Sequence, residues 1–343
     1  MKYRKLGNSG ILVSEIGLGT NNFGRRLDYS ESEKVINHAL QSGINLLDTA
    51  DMYSNGLSEE YIGKAIKNKR DEVVLASKGG MNPMPSPTNT KVAQRVNEGP
   101  NKSGLSSVHI KRSVEESLSR LNTDYIDLYQ THIFDPYTNQ EETLRALDDL
   151  VSDGKIRYIG CSNYMAWELI EGIHVSKKYG WAEFMTIQPE FSMFEREPES
   201  ELIYACEKYN VGILPYFPLA SGFLTGKYKR NSIPEGGRLS SGSHSAWSEK
   251  WLTEKNFNIV ENLEKWASNK GITMVQLAFS WLLAKKPVSS VIAGATSKEQ
   301  IDSNITGSGI EITNTELEEL NRILPERNEA GIGNILRRIQ NTP

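Results

Sequence analysis

The chain has 343 residues, 38% of them hydrophobic and 24% charged, with a formal net charge of −4 at pH 7. That composition fits a soluble globular protein and offers no basic face for nucleic acid or an anionic membrane. Two cysteines, Cys161 and Cys206, are too few for a disulfide framework and predict free buried thiols in a reducing, cytoplasmic compartment.

The opening MKYRKLGNSG lacks the apolar core of a secretory signal, and no apolar run is long enough to span a bilayer. A hairpin is predicted over 3–6 and 11–14, joined by Asn8-Ser9-Gly10 and placed to plug the bottom of a barrel. Strand and helix patterns then alternate: strand 16–19, helix 30–41, strand 45–48, helix 58–67, strand 73–78, helix 107–121. The second half continues with strand 125–132, helix 140–152, strand 156–162, helix 166–178, strand 184–188, helix 198–208, strand 212–217, helix 274–284, strand 290–293 and helix 298–306. Ser58 reads as the N-cap of its helix, with Glu59 and Glu60 at the positive end of the dipole. Long loops are expected over 79–106 and 220–253, an extra helix over 254–268, and a C-terminal helix over 316–324 before a tail rich in Gly and Arg.

Strands nearly free of charge, each followed by a helix, predict a parallel sheet buried on both faces. Closing eight such units gives the (β/α)8 TIM barrel, here as one domain over 1–343. The competing doubly wound fold needs G-x-G-x-x-G after its first strand. Gly17-Leu18-Gly19 is followed by Thr20, Asn21 and Asn22, so the third glycine is missing.

In a barrel the chemistry sits where strands run out into their loops. Those ends carry Asp48 and Tyr53, Lys78, His132, Ser162-Asn163, Gln188 and Tyr216. Asp48 and Lys78 on adjacent strands are natural counter-ions, because a lone charge inside a barrel is costly. Taken singly, each residue has an ordinary structural reading: an ion pair, a core histidine, a surface tyrosine. Converging on one mouth, they make a phenol beside an ammonium, which favours the phenolate, with an imidazole to orient a carbonyl or share a proton. His38, His109, His174 and His244 have no ligand spacing, so no metal site is expected.

The chain resembles the aldo-keto reductase superfamily over nearly its whole length. The resemblance is carried by Leu47-Asp48-Thr49-Ala50-x-x-Tyr53 with Ser58-Glu59-Glu60, by Ile126-Asp127-Leu128-Tyr129-Gln130-x-His132, and by Gly160-x-Ser162-Asn163. The stretch from Pro215 to Tyr228, with Gly222, Gly226 and Lys227, resembles the cofactor loop of the microbial and potassium-channel-β-subunit-like branch. The resemblance implies reduction of aldehydes or ketones by NADP(H), with NAD(H) the alternative. Tyr53 would be the general acid, Asp48 and Lys78 would tune it, and His132 would orient the substrate. Ser162, Asn163 and Gln188 would hold the carboxamide, Tyr216 would stack on the nicotinamide, and Gly19, Thr20 and Asn21 would join them at the first strand's end. Phe217, Pro218, Leu219, Gly222 and Leu224 would contact the pyrophosphate through their main chains, with Lys227 and Arg238 over the cofactor. Gly294, Thr296, Gln300 and Asn304 would hold the adenosine end, at a helix N-terminus suited to anions.

Departures are Ser54 where Gly is usual, Ile292-Ala293-Gly294 for Ile-Pro-Gly, and Gln300 and Ser303 in place of a basic and an acidic residue. They weaken strict NADP selectivity. Two other functions fit parts of the pattern: a regulatory subunit that keeps the cofactor, and a lyase using Lys78 as a Schiff base. No cluster of basic residues marks an anionic substrate in the sequence. Phe23 and Phe134 are expected as apolar walls of the substrate site, and Trp247 and Trp251 as part of a lid.

Overall fold

A computed structural model describes residues 1–81, 101–235, 237–240 and 245–325. The chain opens on an antiparallel hairpin of β1 (Tyr3–Lys5) and β2 (Leu12–Ser14). Eight parallel strands come next: β3 (Ile16–Gly19), β4 (Leu46–Asp48), β5 (Val74–Gly79), β6 (Ile126–Thr131), β7 (Ile156–Ser162), β8 (Phe184–Gln188), β9 (Gly212–Ile213) and β10 (Val291–Gly294). Their order is β10-β3-β4-β5-β6-β7-β8-β9. Backbone bonds from Ile213 N–H to Pro287 O (2.7 Å) and from Ile292 N–H to Pro215 O (2.9 Å) close the remaining seam. The result is the expected (β/α)8 barrel.

Outside it lie α1 (Tyr29–Gln41), α2 (Leu57–Ala65), α3 (Ser107–Leu121), α4 (Gln140–Ser152), α5 (Ala166–Tyr179) and α6 (Leu202–Tyr209). Beyond these come α7 (Ser245–Trp251), α8 (Glu254–Lys270), α9 (Met274–Leu283), α10 (Lys298–Ile305) and α11 (Asn314–Ile323). A large core cluster fills the space between sheet and helices. A second, smaller one occupies the barrel interior: Leu46, Ala76, Leu128, Leu214 and Ile292 meet Leu6 and Val13 of the hairpin. The hairpin therefore plugs the barrel. Its entry at Gly7 is tight, since a Cβ there would lie 2.1 Å from Met185 O, at a left-handed φ of 56°.

The two-residue period of a strand now sets the chemistry. Two residues above Leu46 comes Asp48; above Ala76, Lys78; above Leu128, Gln130 and then His132; above Leu214, Tyr216. The interior is thus apolar at the hairpin end and polar at the opposite mouth.

Four expectations are corrected. The strand expected over 212–217 is only Gly212–Ile213, because Pro215 has no N–H for a ladder and Phe217 adopts φ 51°. Ser58 does not cap α2, which begins behind Gly56 at φ 90°. The Ser58 hydroxyl is buried and bonded to Thr20 O at 3.1 Å and to the Thr20 and Thr49 hydroxyls, both at 2.9 Å. The helix expected from 198 starts at Leu202, after a 3-10 turn at Glu197–Glu199 that Pro198 opens. Helix α7 interrupts the stretch expected as loop over 220–253. The Gly- and Arg-rich tail and most of the loop over 79–106 lie outside the described residues.

Candidate active site

Lys78, fully buried, is the centre of the polar layer. Its Nζ donates to Asp48 Oδ2 at 2.8 Å, to Thr49 O at 2.7 Å and to Tyr53 Oη at 3.3 Å. Asp48 Oδ1 accepts from Gln188 Nε2 at 2.9 Å and Gln130 Nε2 at 3.4 Å, so the carboxylate is bonded on both oxygens. The expected pairing of Asp48 with Lys78 is present. It disfavours the lyase alternative: an ammonium that donates to three acceptors, whose pKa stays raised by the Asp48 charge against the opposing effect of burial, is no nucleophile. Lys78 also does not line the cavity above it.

Tyr53 opens a short 3-10 turn, Tyr53–Gly56, in which Ser54 and Asn55 take left-handed φ of 52° and 58°. That is why glycine is usual at position 54 in the resembling family: L side chains meet a steric cost there. Ser54 tolerates it by donating its hydroxyl to Phe23 O at 2.7 Å.

The His132 ring meets Tyr53 edge-on, centroids 6.1 Å apart. Burial, reinforced by the Lys78 charge, pushes the imidazole well below its usual range, so it is neutral at pH 7. For Tyr53 the sequence expectation needs correction. Lys78 does favour the phenolate, but burial dominates and Asp48 and Asp51 add to it, leaving the phenol raised above its ordinary value. It holds its proton.

A cavity of about 750 Å³ opens over this layer. Asp48, Tyr53 and His132 line it, as do Gly19, Thr20 and Asn21. Ser162, Asn163, Gln188 and Tyr216 form a wired set beside them. Ser162 donates to Gln188 O at 2.7 Å, and Asn163, at φ 57°, donates to His132 O at 3.0 Å. Tyr216 donates its hydroxyl to Asn163 Oδ1 at 2.8 Å, which anchors the far end of its ring. Phe217, Pro218, Leu219, Gly222, Lys227 and Arg238 line the cavity along the loop after β9. Gly294, Thr296, Gln300 and Asn304 line it at the start of α10, where Gln300 Oε1 accepts from Thr296 N–H at 2.9 Å.

The Leu224 side chain is fully buried in the core, which leaves its main chain for the expected pyrophosphate contact. Other expectations fail here. Phe23 is likewise core, and Phe134 packs edge-on against Tyr164 and Trp167 instead of facing the cavity. Trp251 is no lid residue but is buried against Phe194, 5.7 Å between centroids, and the side chain of Trp247 lies outside the described part of the chain.

The structure also adds cavity residues: Arg26, Met52, Met81, Val275, Ile292 and Ser303. Arg26 adds a third cation to Lys227 and Arg238 along this cavity. Burial, with Arg26 and Arg25 adding repulsion, lowers Arg238 to about 10. Reading the loop after β3, and not only strand ends, could have flagged the Arg25-Arg26 pair.

Fold and site thus define an eight-stranded β/α barrel with its chemistry gathered at the C-terminal mouth. The model of the aldo/keto reductase family matches residues 15–325. The chain is 36% identical over 337 residues to the versiconal hemiacetal acetate reductase of Aspergillus parasiticus, covering 93% of this chain and 96% of that protein. It is 34% identical over 313 residues to a probable voltage-gated potassium channel subunit beta of Oryza sativa subsp. japonica, covering 89% and 90%. It is 33% identical over 333 residues to the uncharacterized oxidoreductase YrpG of Bacillus subtilis, covering 95% and 96%. The chain belongs to the aldo/keto reductase family.

Proposed function

We propose that the chain reduces aldehydes and ketones to alcohols with NADP(H), NAD(H) being the alternative cofactor, and that Tyr53 is the general acid. One observation carries the reading: the Tyr53 phenol, bonded to a Lys78 ammonium that is itself paired with Asp48, faces a cavity also lined by Lys227, Arg238 and Arg26.

The donor set fits a nicotinamide dinucleotide. The amides of Asn163 and Gln188 and the Ser162 hydroxyl suit a carboxamide, and the anchored Tyr216 ring suits stacking. The cations suit phosphates, with Gly294, Thr296, Gln300 and Asn304 for the adenosine end. When bound, NADPH supplies the hydride to the carbonyl carbon.

The remaining work falls to the chain's own groups. Tyr53, protonated at neutral pH, gives its proton to the carbonyl oxygen as charge develops there. The Lys78 ammonium, 3.3 Å away, stabilises the phenolate left behind, and Asp48 keeps that ammonium in place. Neutral His132 offers a hydrogen bond to the same oxygen without adding charge. Cys161 and Cys206, both buried thiols outside any disulfide among the described residues, suit a reducing, cytoplasmic setting.

The likeness to a channel β subunit favours a second reading, a cofactor-binding regulatory subunit. Purified chain incubated with a reactive aldehyde and NADPH separates the two. Steady loss of NADPH absorbance supports the enzyme; tight NADPH binding with no turnover supports the subunit.

A further inference from the structure

Two residues before Tyr53, the loop leaving β4 is tied to a buried hydroxyl chain that the proposed chemistry has not used. Asp51 N–H donates to Lys78 O at 2.9 Å. Asp51 Oδ2 accepts from Ser113 Oγ of α3 at 3.1 Å, and Ser113 Oγ accepts from Tyr129 Oη of β6 at 3.0 Å. Ser113 and Tyr129 are both buried.

The chain runs over Gly79. A Cβ there would lie 2.1 Å from Tyr129 Oη and 2.4 Å from Ser113 Oγ, so the residue after Lys78 has to be glycine for the hydroxyls to pass. The chain also has a direction. Burial, with the Asp51 charge next, holds the Tyr129 phenol well above its ordinary value, so it remains a donor. Ser113 accepts that proton's bond and is left to donate to Asp51. A carboxylate is the acceptor that best ends such a chain.

We infer that Asp51, anchored by Ser113 and Tyr129, is a positioning residue for Tyr53: it holds the Tyr53 loop against β5 and sets its own charge where it opposes a phenolate. This rests on the reductase reading. The charged and titratable groups around Tyr53 are Lys78 from β5, Asp48 from β4, His132 from β6 and Asp51 on its own loop. Asp51 in turn faces Tyr129 and, from α3, Arg120, whose guanidinium is paired with Glu59 at 2.6 Å. Both carboxylates oppose the phenolate, Asp48 more strongly than Asp51, and Asp48 is in direct contact with Lys78.

Asp51→Asn keeps the shape and an acceptor for Ser113 but removes the charge. The pH at which alcohol oxidation levels off and carbonyl reduction begins to fall is expected to drop by about 0.5–1 unit, the shift that one nearby charge produces. Ser113→Ala, which leaves the charge, is expected to lower the rate without moving that pH. Nuclear magnetic resonance of ring-labelled tyrosine, with Tyr53→Phe to assign the signal, reads the same ionisation without turnover. A Tyr53 phenol that ionises at lower pH in Asp51→Asn supports the inference, and identical ionisation at every pH overturns it. An inactive wild type would defeat the reductase reading alone, because the resonance experiment still decides the role of Asp51.

Discussion

Replacing Lys78 by methionine separates the structural from the chemical role of the buried pair. The ammonium and the Asp48 carboxylate are 2.8 Å apart, with side chains 0% and 2% exposed. Removing one partner leaves Asp48 buried with only the Gln188 and Gln130 amides, and breaking such a pair costs about 3–5 kcal/mol. At about 2.1 cal/mol/K of unfolding entropy per residue, a chain of 343 residues loses roughly 4–7 °C of Tm. Calorimetry between pH 6 and 9 measures it. The folded Lys78 value lies above the ordinary 10.5, so its contribution is fully present below 10.5 and is lost only as pH rises through the folded value. Aldehyde reduction should fall by about a hundredfold or more, because the Tyr53 phenolate loses its counter-charge. Adding Asp48→Leu removes the stranded carboxylate and should restore most of the Tm but none of the activity. A Lys78→Met protein as stable as wild type, or a double variant less stable than the single one, would refute the reasoning.

Three further outcomes are expected from the same geometry. Arg238→Ala should weaken NADPH by ten- to a hundredfold, about 1.5–3 kcal/mol for charge-assisted contacts to one phosphate, while leaving NADH nearly unchanged in fluorescence titrations; an equal loss for both would place Arg238 over the pyrophosphate. Ser54→Ala keeps the left-handed φ and loses the bond to Phe23 O, so denaturant unfolding should show it about 1 kcal/mol less stable, whereas Ser54→Gly relieves the strain and should be the more stable of the two variants. His132, neutral in the fold, favours unfolding below its ordinary 6.5, where only the unfolded chain takes up its proton. Stability should decline as pH falls below 6.5, and His132→Asn should flatten that decline by up to about 1.4 kcal/mol per pH unit.

Most of the barrel was legible because its signals are local. Strands buried on both faces stand out as short apolar runs, and β3, β7 and β8 fall where the pattern puts them. The polar layer at the mouth was legible for the same reason, since a period of two lifts Asp48 above Leu46 and Lys78 above Ala76. What resisted prediction depends on tertiary contacts. Ser58 looks like a cap until Thr20 and Thr49 claim its hydroxyl. Tyr53 looks like an acidified phenol until burial outweighs Lys78. Arg26 reaches the cavity from a loop with no recognised pattern.

The central claim is that the Tyr53 proton, and nothing else the side chain does, is needed for carbonyl reduction. Measuring NADPH affinity and aldehyde turnover side by side for wild type and Tyr53→Phe tests it most directly, because the variant loses only the hydroxyl. The account predicts turnover lower by about a hundredfold or more, the lower range for general acid catalysis, with NADPH affinity within a few-fold of wild type. Near-normal turnover in Tyr53→Phe would contradict it and place the proton donor elsewhere.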